Sequence, residues 1–237
     1  MTTNFSSKIF VTIFFAIILS FYFLGVYWSF EPEQLDIRAE VTQDAASEGV
    51  NPVVGYTTTT ALIRVTETLL NKPGGYLSND ALPPSVFLDN IPAWELGALE
   101  MSRDMALVMR QEFSRSQSQS VENNHLKVAQ PQYNIDHKSW AMPSTESEYN
   151  KAVNELYAYR KALTDVNSQS AQFYARSDNL RDWIQEVTKR LGSYSQRLSA
   201  SVGREQLNTD LAGDSEAQQS TNTQSLLINA CFSASAK

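Results

Sequence analysis

This sequence predicts an all-α protein: a single N-terminal transmembrane helix followed by an exported helical-bundle-like domain with one long amphipathic helix. Three observations lead there. Residues Ile9 to Phe30 carry no charge and no proline. Further along, apolar residues recur at three- and four-residue spacing in separate stretches, the signature of a helix with one buried face. Finally, Thr145 to Val202 contains no proline, and Gly192 is its single glycine.

The anchor comes first. Fourteen of its residues are Ile, Leu, Val or Phe, and each favours insertion into a bilayer by roughly 0.3–0.6 kcal/mol. At about 1.5 Å per residue the stretch is about 33 Å long, against about 30 Å of hydrocarbon. Ile9, Phe15 and Leu19 belong to its lipid-facing body, and Tyr27 and Trp28 to an aromatic belt at its end. A cleaved signal would need small residues at its end, and Leu24-Gly25-Val26-Tyr27-Trp28-Ser29 is bulky there. Lys8 precedes the span, and Glu31, Glu33 and Asp36 follow it. The positive-inside rule then keeps residues 1–8 cytoplasmic and exports the rest. In a Gram-negative bacterium that places the soluble part in the periplasm, with the chain single-pass in the inner membrane.

Residues 31–50 are acidic and weakly apolar and read as a juxtamembrane connector, followed by a helical domain over 51–203. In Tyr56 to Leu70, Leu62, Val65, Leu69 and Leu70 stand at helical spacing, and Lys72-Pro73-Gly74-Gly75 provides the stop. A second helix is predicted from Ala93 to about Arg115, with Trp94, Ala98, Met101, Met105 and Val108 as its buried stripe. Ser114 to Ser120 is a polar break, and Val121 to Met142 holds mixed short segments. Thr145 with Glu148 forms a capping box that starts the next helix. From there to Val202 the spacing fits one long helix, or two that fold back near Ser177-Asp178-Asn179. Ser170 and Ser177 interrupt a strict heptad. Residues 204–237 are polar and read as a disordered tail, apart from a short apolar run at Leu226 to Ile228.

Composition narrows the chemistry. The chain has 237 residues, room for an anchor and one ordinary domain. A net charge of −7, with no dense Lys/Arg run, predicts no nucleic-acid partner. Cys231 is the only cysteine, which excludes an intramolecular disulfide and a Cys-rich zinc site. His125 and His137 lack the spacing that sets two ligands on one helix face. Asp136-His137 reads as a solvated loop pair rather than a metal or acid–base fragment. Glu95, Glu100, Asp104 and Glu112 read as charges on an exposed helix face, and Met101, Met105 and Met109 as core filler. Lys72-Pro73-Gly74-Gly75 fails the phosphate-loop pattern, because its lysine precedes the glycines. Arg176, Arg181, Lys189, Arg190 and Arg197, interleaved with acids, read as a salt-bridged solvated face.

Leu69 to Asp80, then Pro83-Pro84, Leu88-Asp89-Asn90-Ile91-Pro92 and Trp94-Glu95, resemble a proteobacterial membrane-anchored family known only as DUF2333. Arg176 to Leu180 and the Leu191-Gly192-Ser193 region are similar to it too, so the resemblance runs from about Val50 to Gly203. It implies an inner-membrane, largely helical protein with no activity to carry over to any residue. It also implies a further helical region where this chain has its polar tail.

These readings predict a non-catalytic scaffold or partner-binding module. The alternative is an envelope enzyme or ligand binder, acting on cell-wall or lipid material through the 74–94 loop. The candidate contact residues are Lys72, Tyr76, Asn79, Asp80, Asp89, Asn90 and Trp94, a polar and aromatic set able to line a pocket. No catalytic residue, metal or cofactor is assigned. The expected partners are the lipid bilayer and an unidentified envelope protein, and oligomeric state stays open.

Overall fold

A computed structural model describes residues 3–115, 122–165 and 171–210. Among the described residues are seven α-helices and no strands: α1 (Thr3–Trp28), α2 (Ile37–Glu48), α3 (Tyr56–Asn71), α4 (Asn90–Val108), α5 (Asn124–Tyr133), α6 (Thr145–Thr164) and α7 (Ser177–Asp210). The chain divides into two compact units, one ending at Leu180 and the other beginning at Arg181.

In the first unit α3, α4, α5 and α6 pack as a closed set, each against two of the others. Leu62, Ile63 and Leu69 of α3 meet Leu99 and Ala106 of α4, Leu126 and Tyr133 of α5, and Tyr149, Leu156 and Tyr159 of α6. The stripe on α4 is turned one residue from its expected place. Ile91, Glu95, Leu99, Ser102 and Ala106 are buried, while Trp94 is exposed and Ala98, Met101, Met105 and Val108 are half-buried. The cause is Glu95, a carboxylate that hydropathy assigns to water and the fold places inside. After Val108 the helix widens into a π turn, Met109–Phe113, which buries Met109 and Phe113.

Residues 31–50 are more than a connector, since they contain α2. Its apolar content is low, and it is set by its caps. Asp36 Oδ1 accepts the amides of Arg38 and Ala39 at 3.0 and 3.2 Å. Gly49, at φ 65°, closes the other end. The segment read as mixed holds α5, capped by Asn123, whose Oδ1 accepts the amides of His125 and Leu126. His125 is therefore helical, and its Nδ1 lies 2.8 Å from Glu155 on α6. His137 Nδ1 is 3.8 Å from Asp136, and burial, then the Arg103 charge, lowers its pKa.

The single helix from Thr145 to Val202 is not formed. α6 ends at Thr164 and α7 starts at Ser177. Ser144, not Thr145, caps α6, accepting the Ser147 amide at 3.3 Å. Thr145 instead donates its hydroxyl to the Ser139 carbonyl at 2.7 Å. Asn179, where two helices were expected to fold back, is a staple at the start of α7. Its side-chain amide donates to the carbonyls of Glu112 and Tyr174. α7 remains a long amphipathic helix and runs through Glu205 to Asp210 of the expected tail. Residues 116–121, 166–170 and 211–237 lie outside the described residues, with them most of the polar break, Ser170 and the Leu226 run.

Gly55 precedes α3 at φ 91°, in the left-handed region. A Cβ there would lie 2.4 Å from Phe173 Cγ, and Phe173 is stacked on Phe113 with centroids 4.9 Å apart. Neither backbone nor ring has an easy way to yield. Gly55→Ala is expected to destabilise the domain by about 1–3 kcal/mol, measured as a shift in urea midpoint at unchanged slope.

Candidate functional site

The 72–95 region is built round a buried ion pair. Lys72 ends α3, its amide bonded to the Thr68 carbonyl at 3.2 Å. Its side chain turns inward to Glu95, and the two side chains are 1% and 0% exposed. The carboxylate has other partners: the Leu77 amide donates to Oε1 at 2.9 Å, and the Ser78 amide to Oε2 at 2.8 Å. The Ser78 hydroxyl donates to Oε2 as well, and Lys72 Nζ also donates to the Gly75 carbonyl. Burying two charges costs several kcal/mol each, and such a pair holds only when further hydrogen bonds complete it. Here they do, so the loop is wrapped round the carboxylate.

Gly74, at φ 86°, makes this turn and lets the end of α1 approach: a Cβ on it would lie 2.8 Å from Trp28 Cγ. Tyr76 then enters the core and meets Tyr149 edge-on at 5.7 Å, while Tyr149 stacks on Tyr133 at 6.0 Å. Burial raises the Tyr76 phenol well above its usual range and raises Tyr149 to about 12. Asn79 is buried. Its Nδ2 donates to the Ser139 carbonyl at 3.2 Å and to Glu146 at 2.9 Å, tying this loop to the one before α6. Asp80 is exposed, and its pKa is raised by desolvation and by the Glu146 and Glu95 charges, with Lys72 opposing.

The seven candidate residues therefore do not converge. Lys72, Tyr76 and Asn79 point inward, and Asp80 lies on the rim. Asp89 and Asn90 are exposed at the start of α4, where Asp89 makes no side-chain cap. Asn90 and Trp94 line a separate hollow of about 460 Å³ with Val65, Thr68 and the Glu31–Leu35 stretch. Two features were missed. Glu95 gives no signal in sequence, because its partner is on another helix. The run from Ala81 to Leu88 does give one, since it is charge-free between Asp80 and Asp89. It forms a 3₁₀ turn, Ser85–Phe87, beside α1. Between that turn and α1 is an apolar groove of about 490 Å³.

A second buried charge cluster joins α2, α3 and α6. Arg160, almost wholly buried, donates through Nη1 to Asp44 at 2.5 Å and Thr60 at 2.9 Å, and through Nη2 to Glu48. Its guanidinium lies 4.8 Å from the Tyr56 ring centre and 4.9 Å from that of Tyr157. Arg64 reaches Asp44, Glu40 and Glu67 at 2.5, 3.0 and 2.8 Å. Tyr56 and Tyr157 donate their hydroxyls to Glu48 and Glu67. Among the described residues, no group of three His, Cys, Asp or Glu side chains is placed to hold a metal ion.

No curated protein and no solved structure matches the chain. A family model does, that of an uncharacterized protein conserved in bacteria, over residues 2–231. The match takes in α1, both charge clusters and most of the polar residues after Gly203, well beyond the Val50–Gly203 stretch that carried the resemblance. The chain belongs to the DUF2333 family of bacterial proteins.

Proposed function

We propose that this protein is a non-catalytic module held at the exported face of the inner membrane, and that α7 offers its partner-binding surface. The anchor is Lys8–Trp28, long and apolar enough to cross a membrane. Its side chains, Ile9, Phe15, Leu19 and Tyr27 among them, face outward, unlike those of a core helix in a soluble domain. Lys8 before the span and the acids after it favour a cytoplasmic N-terminus. Reporter fusions before Ile9 and after Glu31 test that orientation. A non-catalytic role is supported by the interior charges: Lys72, Glu95, Arg160 and Asp44 are taken up by one another and by backbone.

The observation that carries the reading is on α7. Ile184, Leu191 and Leu198 are exposed, and Val187 and Tyr194 fall between them at three- and four-residue steps. Within the helix that is an uninterrupted heptad seam. Arg181, Arg190 and Arg197 take flanking positions, so the fitting partner is a helix with an apolar stripe and acidic flanks. With a photocrosslinker at Thr188 in native membranes, capture of one discrete partner is expected. Leu191→Asp should cut that product about tenfold or more. Recovery of bulk membrane proteins alone, unchanged by the substitution, contradicts the reading. The second reading, ligand binding to cell-wall or lipid material through the 74–94 loop, rests on the hollow beside Asn90 and Trp94.

A further inference from the structure

The run between Asp80 and Asp89 turns its apolar residues outward. Leu82 is 76% exposed, Val86 57% and Phe87 80%. Single exposed apolar residues are ordinary, but three within six positions form a patch that wants a cover. The patch lies against the anchor. Pro84 packs on Gly25, where an added Cβ would stand 3.4 Å away. Gly25 is one helical turn before Trp28, about 4.5 Å along the axis. The loop tied on by Asn79 is similar: Trp140 is 74% exposed and Met142 fully exposed, with no charge between Lys138 and Glu146.

A loop that enters hydrocarbon has to satisfy its own backbone, because no water is there to do it. Much of this loop does so. Pro83 and Pro84 have no N–H to satisfy. The amides of Phe87 and Leu88 donate to the carbonyls of Pro84 and Ser85 at 3.0 and 2.9 Å. The Ser85 hydroxyl donates to the Leu82 carbonyl at 2.6 Å.

The groove between this loop and the anchor has a length that matters. It runs along α1 from Ile18 to Ser29, just past the helix end, about 16 Å. That is about half of a 30 Å hydrocarbon core, the depth of one leaflet. An extended peptide seated there would bring unpaired N–H and C=O groups into an apolar slot, whereas an acyl chain brings none.

We propose that the 81–88 loop dips into the leaflet nearest Trp28, and that the groove between it and the anchor holds one acyl chain of a bilayer phospholipid. This rests on α1 being a membrane span. The loop then gives the domain a second hold on the bilayer, with the lipid chain as filler between the two.

The test uses the full chain in phosphatidylcholine–phosphatidylglycerol nanodiscs. In a Cys231→Ser background, a fluorophore is attached at Val86→Cys, at Ile13→Cys in the anchor, or at Val128→Cys on α5. Nitroxides carried on lipid acyl chains are expected to quench the first two and leave the third bright, with iodide doing the reverse. Quenching at position 13 but not 86 overturns the loop insertion alone. No quenching at 13 overturns the membrane reading itself. For the groove, a phosphatidylcholine with a photoreactive acyl chain is expected to leave adducts on the 81–88 peptide. Filling the groove with Gly25→Phe should lower those adducts about tenfold while labelling of the first half of α1 persists. Equal labelling of the 81–88 peptide in both proteins overturns the acyl-chain site.

Discussion

Glu95→Gln is expected to cost the fold about 3–5 kcal/mol, the range for breaking one half of a buried ion pair. The substitution keeps the side chain's size but removes the countercharge beside Lys72, which is sealed from solvent. It also turns an amide N–H₂ toward donors, because the carboxylate oxygens receive the Leu77 amide, the Ser78 amide and the Ser78 hydroxyl. Lys72→Met should cost less, since those three donors still neutralise part of the stranded carboxylate. The double variant Lys72→Met/Glu95→Gln should recover part of the loss, a coupling of about 1–3 kcal/mol. Denaturant unfolding of the full chain in micelles measures all three. A loss under about 1 kcal/mol for Glu95→Gln would mean that the pair does not hold the loop.

Arg160→Met should be comparably severe, about 3–5 kcal/mol, and its effect should fall first on α2. Without Arg160, Asp44 and Glu48 face each other with Arg64 alone to answer them. Hydrogen exchange is therefore expected to show α2 opening while α3 and α6 stay protected. Arg160→Lys should restore only part, because an ammonium has no planar fork to span Asp44, Thr60 and Glu48. The cluster also contributes to an alkaline limit. Burial first, then hydrogen bonds to Glu48 and Glu67, raises Tyr56 and Tyr157 to about 12. Unfolded tyrosine titrates near 10. A group with a raised folded pKa contributes stability that is complete below its unfolded pKa and lost on the way up to the folded one. Melting temperature should thus fall between about pH 10 and 12, and Tyr56→Phe should flatten that slope. An unchanged slope would assign the alkaline loss elsewhere.

What the sequence made legible is what apolar periodicity records. Ile9 to Phe30, the body of α3 and the body of α6 all follow from runs and spacings that water would not tolerate unburied. α2 left little such record, because beyond a small apolar contact of Val41 and Ala45 with Tyr56 its hold on the bundle is electrostatic: Asp44 and Glu48 look solvated until Arg160, more than a hundred residues on, is brought beside them. α5 is short and contains Pro131, which weakens any helical reading. The break after Thr164 was hidden because Val166 and Phe173 continue the spacing of α6. Phe173 in fact leaves the helix to stack on Phe113. Around the 74–94 loop, burial runs opposite to polarity. Polar residues chosen as contacts, Lys72 and Asn79, hold the interior, and the apolar residues between Asp80 and Asp89 face out.

The caps and ion pairs of α2 also decide where the chain can be cut. A soluble form beginning at 51, where the sequence suggested the domain starts, would discard Asp44 and Glu48 and leave Arg160 buried beside nothing of opposite charge. A form beginning just before Asp36 keeps the cap, both acids and the contact of α2 with α3. Tolerance to truncation follows burial and hydrogen bonding rather than position in the chain. The natural boundary for a fragment without α1 is the coil from Ser29 to Leu35.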